Sequence, residues 1–418
     1  FMDILIRSAK IVDASNKEHH LKKRDILIKN GIIESIAPRL ETKGKAKEIS
    51  HKNLCVSVGW FDSGVNFGEP GFEERETIEN GLATAAHSGF TDVVLNTDIH
   101  PVPNTGSDIA FLKKSAEGHL ANLWPLGALT SQSKGIGLAE LYDMKNAGAI
   151  GFYDYKMPIG NANLLKIALL YAQNFDGLVF SFPLDRSISG KGIVNEGAVS
   201  TSLGLKGIPA LAEELQIARD LFILEYTGGR LHIPTISTAQ SVKLIAQAKR
   251  KGLRVSCSTA IHNLFFTDDT LKEFDSKYKV MPPLRTQKDA KALVKGLENG
   301  IIDCVTTDHA PMNTENKMLE FSNAEYGTIG LESAFGALNE LFDLETVVGL
   351  LTNGRNCFGM EPPKIQEGEK AHLTLFDPMK EYTFSREHVR STSKNSMFLD
   401  HTLKGKVLGT INNGKSTF

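Results

Sequence analysis

The stretch CVTTDHAPMN, running from Cys304, sets Asp308 and His309 side by side at the end of an apolar, β-branched run. A carboxylate presented at a strand end is a candidate general base or metal ligand. Other short apolar runs end on residues of similar capability. They are Asp62, then Asp98 and His100, Asp154, Ser181, His232 and Thr235, and Thr259 and His262. Each has a plainer reading beside the chemical one. Asp62 and Asp308 read as carboxylates that fix loops through hydrogen bonds. His232 reads as a satisfied core histidine, and His309 as a loop-packing residue rather than a base. His19 and His20 lie in a charged turn and read as solvated.

These residues need a scaffold that brings strand ends together. From Cys55 to about residue 360, short apolar runs such as CVSVGWFD, FTDVVLNT, GLVFSF and IIDCVTTDHA alternate with amphipathic windows. One such window, IPALAEELQIARDLFILEYTGG, puts Leu211, Leu215, Ala218 and Phe222 on one face. Another, KDAKALVKGLENG, does the same for Ala290, Leu293, Val294 and Leu297. Eight such units predict an α/β fold, a (β/α)₈ TIM-type barrel, whose functional residues gather at the C-terminal strand ends. A doubly wound sheet is the alternative. Both ends of the chain read as β, and Asn30-Gly31 between two β-branched runs signals a hairpin. The expected organisation is a small β-sandwich domain from residues 2–55 and 362–418, with the barrel over 56–361.

Composition narrows the function classes. The chain has 418 residues, 41% hydrophobic and 23% charged, with a formal net charge of −2. That balance favours neither nucleic acid nor an anionic membrane. No run is apolar and long enough to span a bilayer, and no export signal is read. Cys55, Cys257, Cys304 and Cys357 are widely spaced, without a C-x-x-C pair, and read as reduced, buried thiols of a cytoplasmic protein. Phe1, which precedes Met2, reads as a processing scar and is left out.

Five stretches in order, GWFDSGVNFGEPGFEERETIENG, LGLKGIPALAEELQIARD, YKVMPPLRTQKDAKAL, GIIDCVTTDHAP and EYGTIGLESAFGAL, resemble the long, class I type of dihydroorotase in the amidohydrolase superfamily. The likeness runs end to end. It implies an enzyme that interconverts carbamoyl aspartate and dihydroorotate in pyrimidine synthesis. One or two zinc ions would sit at the barrel mouth, and a strand-eight aspartate would shuttle the proton. It also implies a homodimer. The loop GLKGIP would shape the site, the dimer surface or a partner surface.

Carried over residue by residue, the resemblance thins at the site. Of the metal positions, Asp62, Asp154 and Asp308 remain, with Asp308 at the proton-shuttle position. Gly64, Asn66, Ser181 and Thr235 stand where ligand histidines belong. At the substrate-pocket positions are Gly68, where a carboxylate-gripping arginine is expected, Asp98, Met281, His309 and Met312. Tyr155 replaces the second acidic residue after strand four. Lys156 lies out of phase with the carboxylated lysine that bridges metals in hydantoinase-like relatives. Zinc depends on imidazole at close range, and neutral amides and hydroxyls do not replace it. The expectation is a catalytically degenerate homologue with no cofactor, a non-catalytic partner of aspartate carbamoyltransferase. The alternative is an active cyclic-amide hydrolase using zinc in a reduced or shifted site. A third reading is a new ligand in a pocket made roomier by Met281, Met312 and Gly68.

Overall fold

Gly59 is where the chain changes sheets. A side chain there would collide with Thr91 and His372, so only glycine lets the backbone pass between the two layers. The computed structural model describes residues 3–41 and 44–418, so Phe1 and Met2 lie outside it. Before Gly59 come β1 (Ile4–Ile11), β2 (Lys23–Lys29), β3 (Ile32–Ala37), β4 (Lys47–Ile49) and β5 (Cys55–Val58). After it come the parallel strands β6 (Trp60–Val65), β7 (Phe90–Leu95), β8 (Asn122–Pro125) and β9 (Leu178–Phe180). The short β10 (Val194–Asn195) and β11 (Gly207–Ile208) pair with each other. Then follow β12 (Arg230–Ile233), β13 (Val255–Ala260) and β14 (Cys304–Thr306). The chain closes with β15 (Leu373–Thr383), β16 (Thr402–Asn412) and β17 (Lys415–Ser416).

Both termini build one sheet, in the order β17-β16-β15-β5-β1-β2-β3, with β4 on β1. These strands are hydrogen-bonded as one eight-stranded sheet. The expected boundary after residue 55 falls inside β5, which pairs with β1 and β15. The β2–β3 turn has φ of 50° at Asn30 and 77° at Gly31, as the dipeptide predicts.

The central strands form two parallel sheets, β6-β7-β8 and β14-β13-β12-β9. They do not make one continuous eight-stranded ladder. The run AIGFYDY contributes only isolated bridges, Phe152 to Gly127 on one side and to Val179 on the other. At the opposite edge, Val65 bridges His309. Helices of seven residues or more are numbered α1 (Ile78–His87), α2 (Gly106–Ser115), α3 (Leu141–Ala147), α4 (Ala162–Ala172) and α5 (Ala210–Thr227). They continue with α6 (Ala239–Arg250), α7 (Gln287–Glu298), α8 (Ala334–Leu341) and α9 (Leu344–Thr352). On α7, Ala290, Leu293 and Leu297 are buried as the periodicity predicts. On α5 the shared face turns outward. Leu211, Leu215 and Phe222 face out, and Glu213, Gln216, Ile217, Asp220 and Leu221 face in.

Two contacts lock the layers together. Trp60 is fully buried, packs on Phe90, Phe335 and Phe376, and donates from its indole to Ser57 Oγ at 2.9 Å. Arg355 is buried beside Asp92 and donates to the Gly59 carbonyl at 2.8 Å. Burial alone would raise the Asp92 carboxyl; the His372 hydrogen bond and the Arg355 charge outweigh it and hold the group below its usual range. His20 is not incidental, since its Nε2 lies 2.7 Å from Glu345 on α9 and joins the terminal sheet to the helical layer.

A filled strand-end site

The Thr306-Thr307-Asp308-His309 segment leaves β14 and turns sharply at Asp308, whose φ is 45°. Positive φ at a non-glycine residue costs of order 1–3 kcal/mol and clusters at functional sites. Two other strand ends share the feature: Lys156 and Thr235 each have φ of 51°. Thr235 is β-branched, which makes it a genuine outlier. The turn at Lys156 swings its ammonium to 2.7 Å from Asp308 Oδ2. Lys156 therefore belongs to the site, which its distance along the chain from Asp154 did not suggest. Tyr155 lies beside it. Its hydroxyl sits 3.4 Å from Asp308 Oδ1 and accepts from Asn66 Nδ2 at 2.8 Å. Asn66, Tyr155, Asp308 and Lys156 thus form one chain of polar contacts across the strand ends. Burial pushes the Asp308 carboxyl up, and the Lys156 charge pulls against it.

What is left of the mouth is small. The partly open space among Gly64, Asn96, Tyr155, Thr235 and Asp308 is about 10 Å³. A water molecule needs ≳ ~10 Å³, so this is room for one at most. The roomier pocket expected from Met281, Met312 and Gly68 is not formed there. Met281 packs beside the cluster around Phe61 and Phe180. The Met312 backbone N–H donates to Asn395 Oδ1 at 3.0 Å. Gly68 has φ of 94°, and a Cβ would stand 2.5 Å from the Phe72 carbonyl oxygen. That position admits no side chain on this backbone.

The remaining candidate residues are engaged elsewhere. Asp62 Oδ1 accepts from the Gly64 and Thr307 N–H groups and the Thr306 hydroxyl, and Oδ2 from the Thr307 hydroxyl. Burial still raises its carboxyl to about 6 against these bonds. Asp154 is turned to the loop after β8, where it accepts from Leu129 and Thr130. Ser181 donates to Asp220 on α5 at 2.5 Å. Asp98 lies 3.8 Å from Arg75, an ion pair. His232 packs against Phe180 with its ring tilted by 46° and is bonded to Ser256 Oγ at 2.8 Å, and burial lowers it to about 3. His309 Nδ1 accepts from the Gly330 and Leu331 N–H groups, and burial lowers it to about 3 as well.

The donor set does not fit a zinc ion. Catalytic zinc needs three convergent imidazole, thiolate or carboxylate ligands plus an open position. Among the described residues, no three His, Cys, Asp or Glu side chains are grouped to hold a metal ion. Asp308 faces an ammonium where a cation would have to enter. Sequence reasoning placed Tyr155 at the second acidic position and weighed Lys156 only as a metal bridge, and missed both as partners of Asp308. The available signal was the pair itself, a phenol and a cation directly after the strand-four carboxylate.

The chain matches the dihydro-orotase-like family model over residues 55–241. It is 38% identical over 421 residues to a dihydroorotase of Pelotomaculum thermopropionicum, covering 99% of this chain and 98% of that protein. It is equally identical over 421 residues to the dihydroorotase of Caldicellulosiruptor saccharolyticus, covering 99% of this chain and 97% of that protein. Among solved structures, it resembles the L-hydantoinase of Arthrobacter aurescens with a TM-score of 0.85 at 22% identity, covering 100% of this chain and 96% of that one. A D-hydantoinase from a Thermus species gives 0.82 at 21%, covering 99% and 94%. The hydantoinases share the fold. Sequence identity of 38% along nearly the whole length makes this chain a member of the dihydroorotase family.

Proposed function

We propose that this protein serves pyrimidine biosynthesis without catalysing a step: it holds no catalytic zinc and acts in the cytoplasm as a non-catalytic partner of aspartate carbamoyltransferase. The observation that carries the reading is the Lys156–Asp308 ion pair at 2.7 Å. It gives the retained aspartate a built-in counter-charge in place of a metal. Without a metal, water keeps a pKa near ~15.7 rather than ~7, and a buried, paired carboxylate is a poor base for it. The substrate side supports the same reading, because Gly68 offers no guanidinium fork for a carboxylate. The three left-handed strand ends then read as family geometry that outlived its chemistry. The domain division into a terminal β unit and a barrel closed by its edge bridges belongs to this proposal.

The second reading, an active cyclic-amide hydrolase with a reduced site, is favoured by one observation: relatives at 38% identity are named dihydroorotases. One experiment separates the two. The purified protein is loaded with zinc, dialysed, analysed for metal and assayed for dihydroorotate ring opening. The proposal expects substoichiometric zinc and no turnover, and stoichiometric aspartate carbamoyltransferase on co-purification from the native host. Turnover that Asp308→Ala abolishes would overturn it.

A further inference from the structure

Two of the four cysteines meet at the start of β14, the end of that strand away from Asp308. Cys304 opens the strand, and Cys357 lies in the 3₁₀ turn Asn353–Phe358. Their Sγ atoms are 3.9 Å apart, a contact that wide spacing in the sequence conceals. The other two thiols lie apart from each other. Cys55 is on β5 in the terminal sheet, and Cys257 Sγ is directed at the Ile301 carbonyl at 3.8 Å.

The two backbones are close as well. A Cβ on Gly354 would stand 3.2 Å from Cys304 Cβ, so glycine lets the turn lie directly on β14. The turn is held on both sides of Cys357. Arg355 is buried on Asp92, and Phe358 packs on Phe61 and Phe180. Arg230 donates to the Cys357 carbonyl at 3.0 Å.

The thiols differ in access. Cys304 is 1% exposed. Cys357 is half-buried, not buried as its apolar surroundings suggest, and lines an open groove of about 730 Å³ with Arg230, Arg254, Asp303 and Asn356. Contact with Cys357 and burial push the Cys304 thiol well above its usual range. A small oxidant therefore meets Cys357 first, and Cys304 is placed to resolve what forms there.

We propose that Cys357 and Cys304 form a peroxide-responsive thiol pair, with Cys357 reacting from the groove and Cys304 closing a disulfide onto it. The Cys357 sulfur attacks one oxygen of hydrogen peroxide, and the O–O bond breaks. That oxygen stays on sulfur as sulfenic acid, and the other leaves as water with the thiol's proton. The Cys304 sulfur then attacks the Cys357 sulfur. The S–S bond forms, the S–O bond breaks, and a second water leaves with the Cys304 proton. The pair gives up two electrons, and the peroxide is reduced to two waters. The bond would tie β14 to the turn that Arg355 anchors on the Gly59 carbonyl, across 53 residues of chain. Disulfides of this kind in a reducing compartment are transient and sensing. The proposal does not depend on whether the strand-end site catalyses anything.

The test exposes the whole chain to a few equivalents of hydrogen peroxide, blocks free thiols with N-ethylmaleimide, and maps the digest by mass spectrometry. Sulfoxide at Met318, which is 70% exposed, shows that the dose suffices. The expected product is a peptide pair joined at Cys304 and Cys357, with two of the four thiols lost and both restored by dithiothreitol. The thermal midpoint should rise by roughly 5 °C until the bond is reduced. Cys357→Ser should keep all its remaining thiols. Cys304→Ala should stop at a sulfenic acid on Cys357, which dimedone traps; if that buried variant does not fold, Cys357→Ser still decides. Cys55→Ser should leave the linkage intact. Thiols that stay reduced while Met318 is oxidised overturn the proposal. So does a linkage through Cys257 or between two chains, or a thiol loss that persists in Cys357→Ser.

Discussion

Lys156 has a short reach and one anionic partner in it, so its removal reports directly on how the site is balanced. Lys156→Met leaves Asp308 buried beside a phenol with its main counter-charge gone. Losing one partner of a buried pair costs about 3–5 kcal/mol. Urea unfolding at neutral pH should show that loss, and Asp308→Asn in the same chain should recover most of it. If the single and double variants are equally unstable, the pair is not the unit described. The candidate aspartates and His232 were legible because each sits directly at the end of an apolar run. Lys156 was not, because its contribution depends on a left-handed turn at a residue with no intrinsic preference for one. Spacing alone sends that ammonium elsewhere.

On α5 the periodicity of Leu211, Leu215 and Phe222 was legible, but its direction was not. A repeat shows which residues share a face, and the environment decides where that face points. Here Glu213 sets the orientation. It holds the Ser237 and Thr238 N–H groups and the Ser241 hydroxyl at the start of α6, with Arg285 3.8 Å away. Glu213→Leu should therefore cost about 3–5 kcal/mol, since it leaves Arg285 without its counter-charge and several donors unpaired. Amide hydrogen exchange should show the loss concentrated in the first turn of α6. Uniform loss across the chain would count against this local role. The two-residue β10–β11 pairing was also illegible. Only the tertiary context closes it, with Arg285 donating to the Ile208 carbonyl at 2.7 Å. The fourth strand is reduced to Phe152 and Tyr153, bracketed by Gly151 and Asp154, and only Phe152 bridges both neighbours.

Across the whole molecule, buried imidazoles give a destabilising response to acid, opposed by buried carboxyls such as Asp62 and Asp308 that burial raises. His232, His262 and His309 are each lowered by burial to about 3. In the unfolded chain they take up protons near ~6.5. The unfolded state therefore binds more protons between these values, and stability falls as pH drops through that window. Each histidine contributes a slope of ~1.4 kcal/mol per pH unit there. Above ~6.5 their contribution is fully present. His232→Phe, which keeps a ring against Phe180, should flatten the dependence by one such increment in urea titrations from pH 6.5 to 4; an unchanged slope would contradict a neutral buried His232. Arg355→Met tests the joint between layers, with an expected cost of about 3–5 kcal/mol from stranding Asp92. The fold's outline was legible because turn signals and β-branched runs are local, whereas the site's present contents are long-range. Gly64 and Gly68 bear on how the site could be refilled. A Cβ at Gly64 would lie 3.2 Å from Thr306 Oγ1, a hydroxyl engaged with both Asp62 and the Gly64 carbonyl. At Gly68 the backbone itself excludes one. A side chain at Gly64 thus needs Thr306 to give way, and one at Gly68 needs the 68–72 backbone rebuilt before any group is put in place.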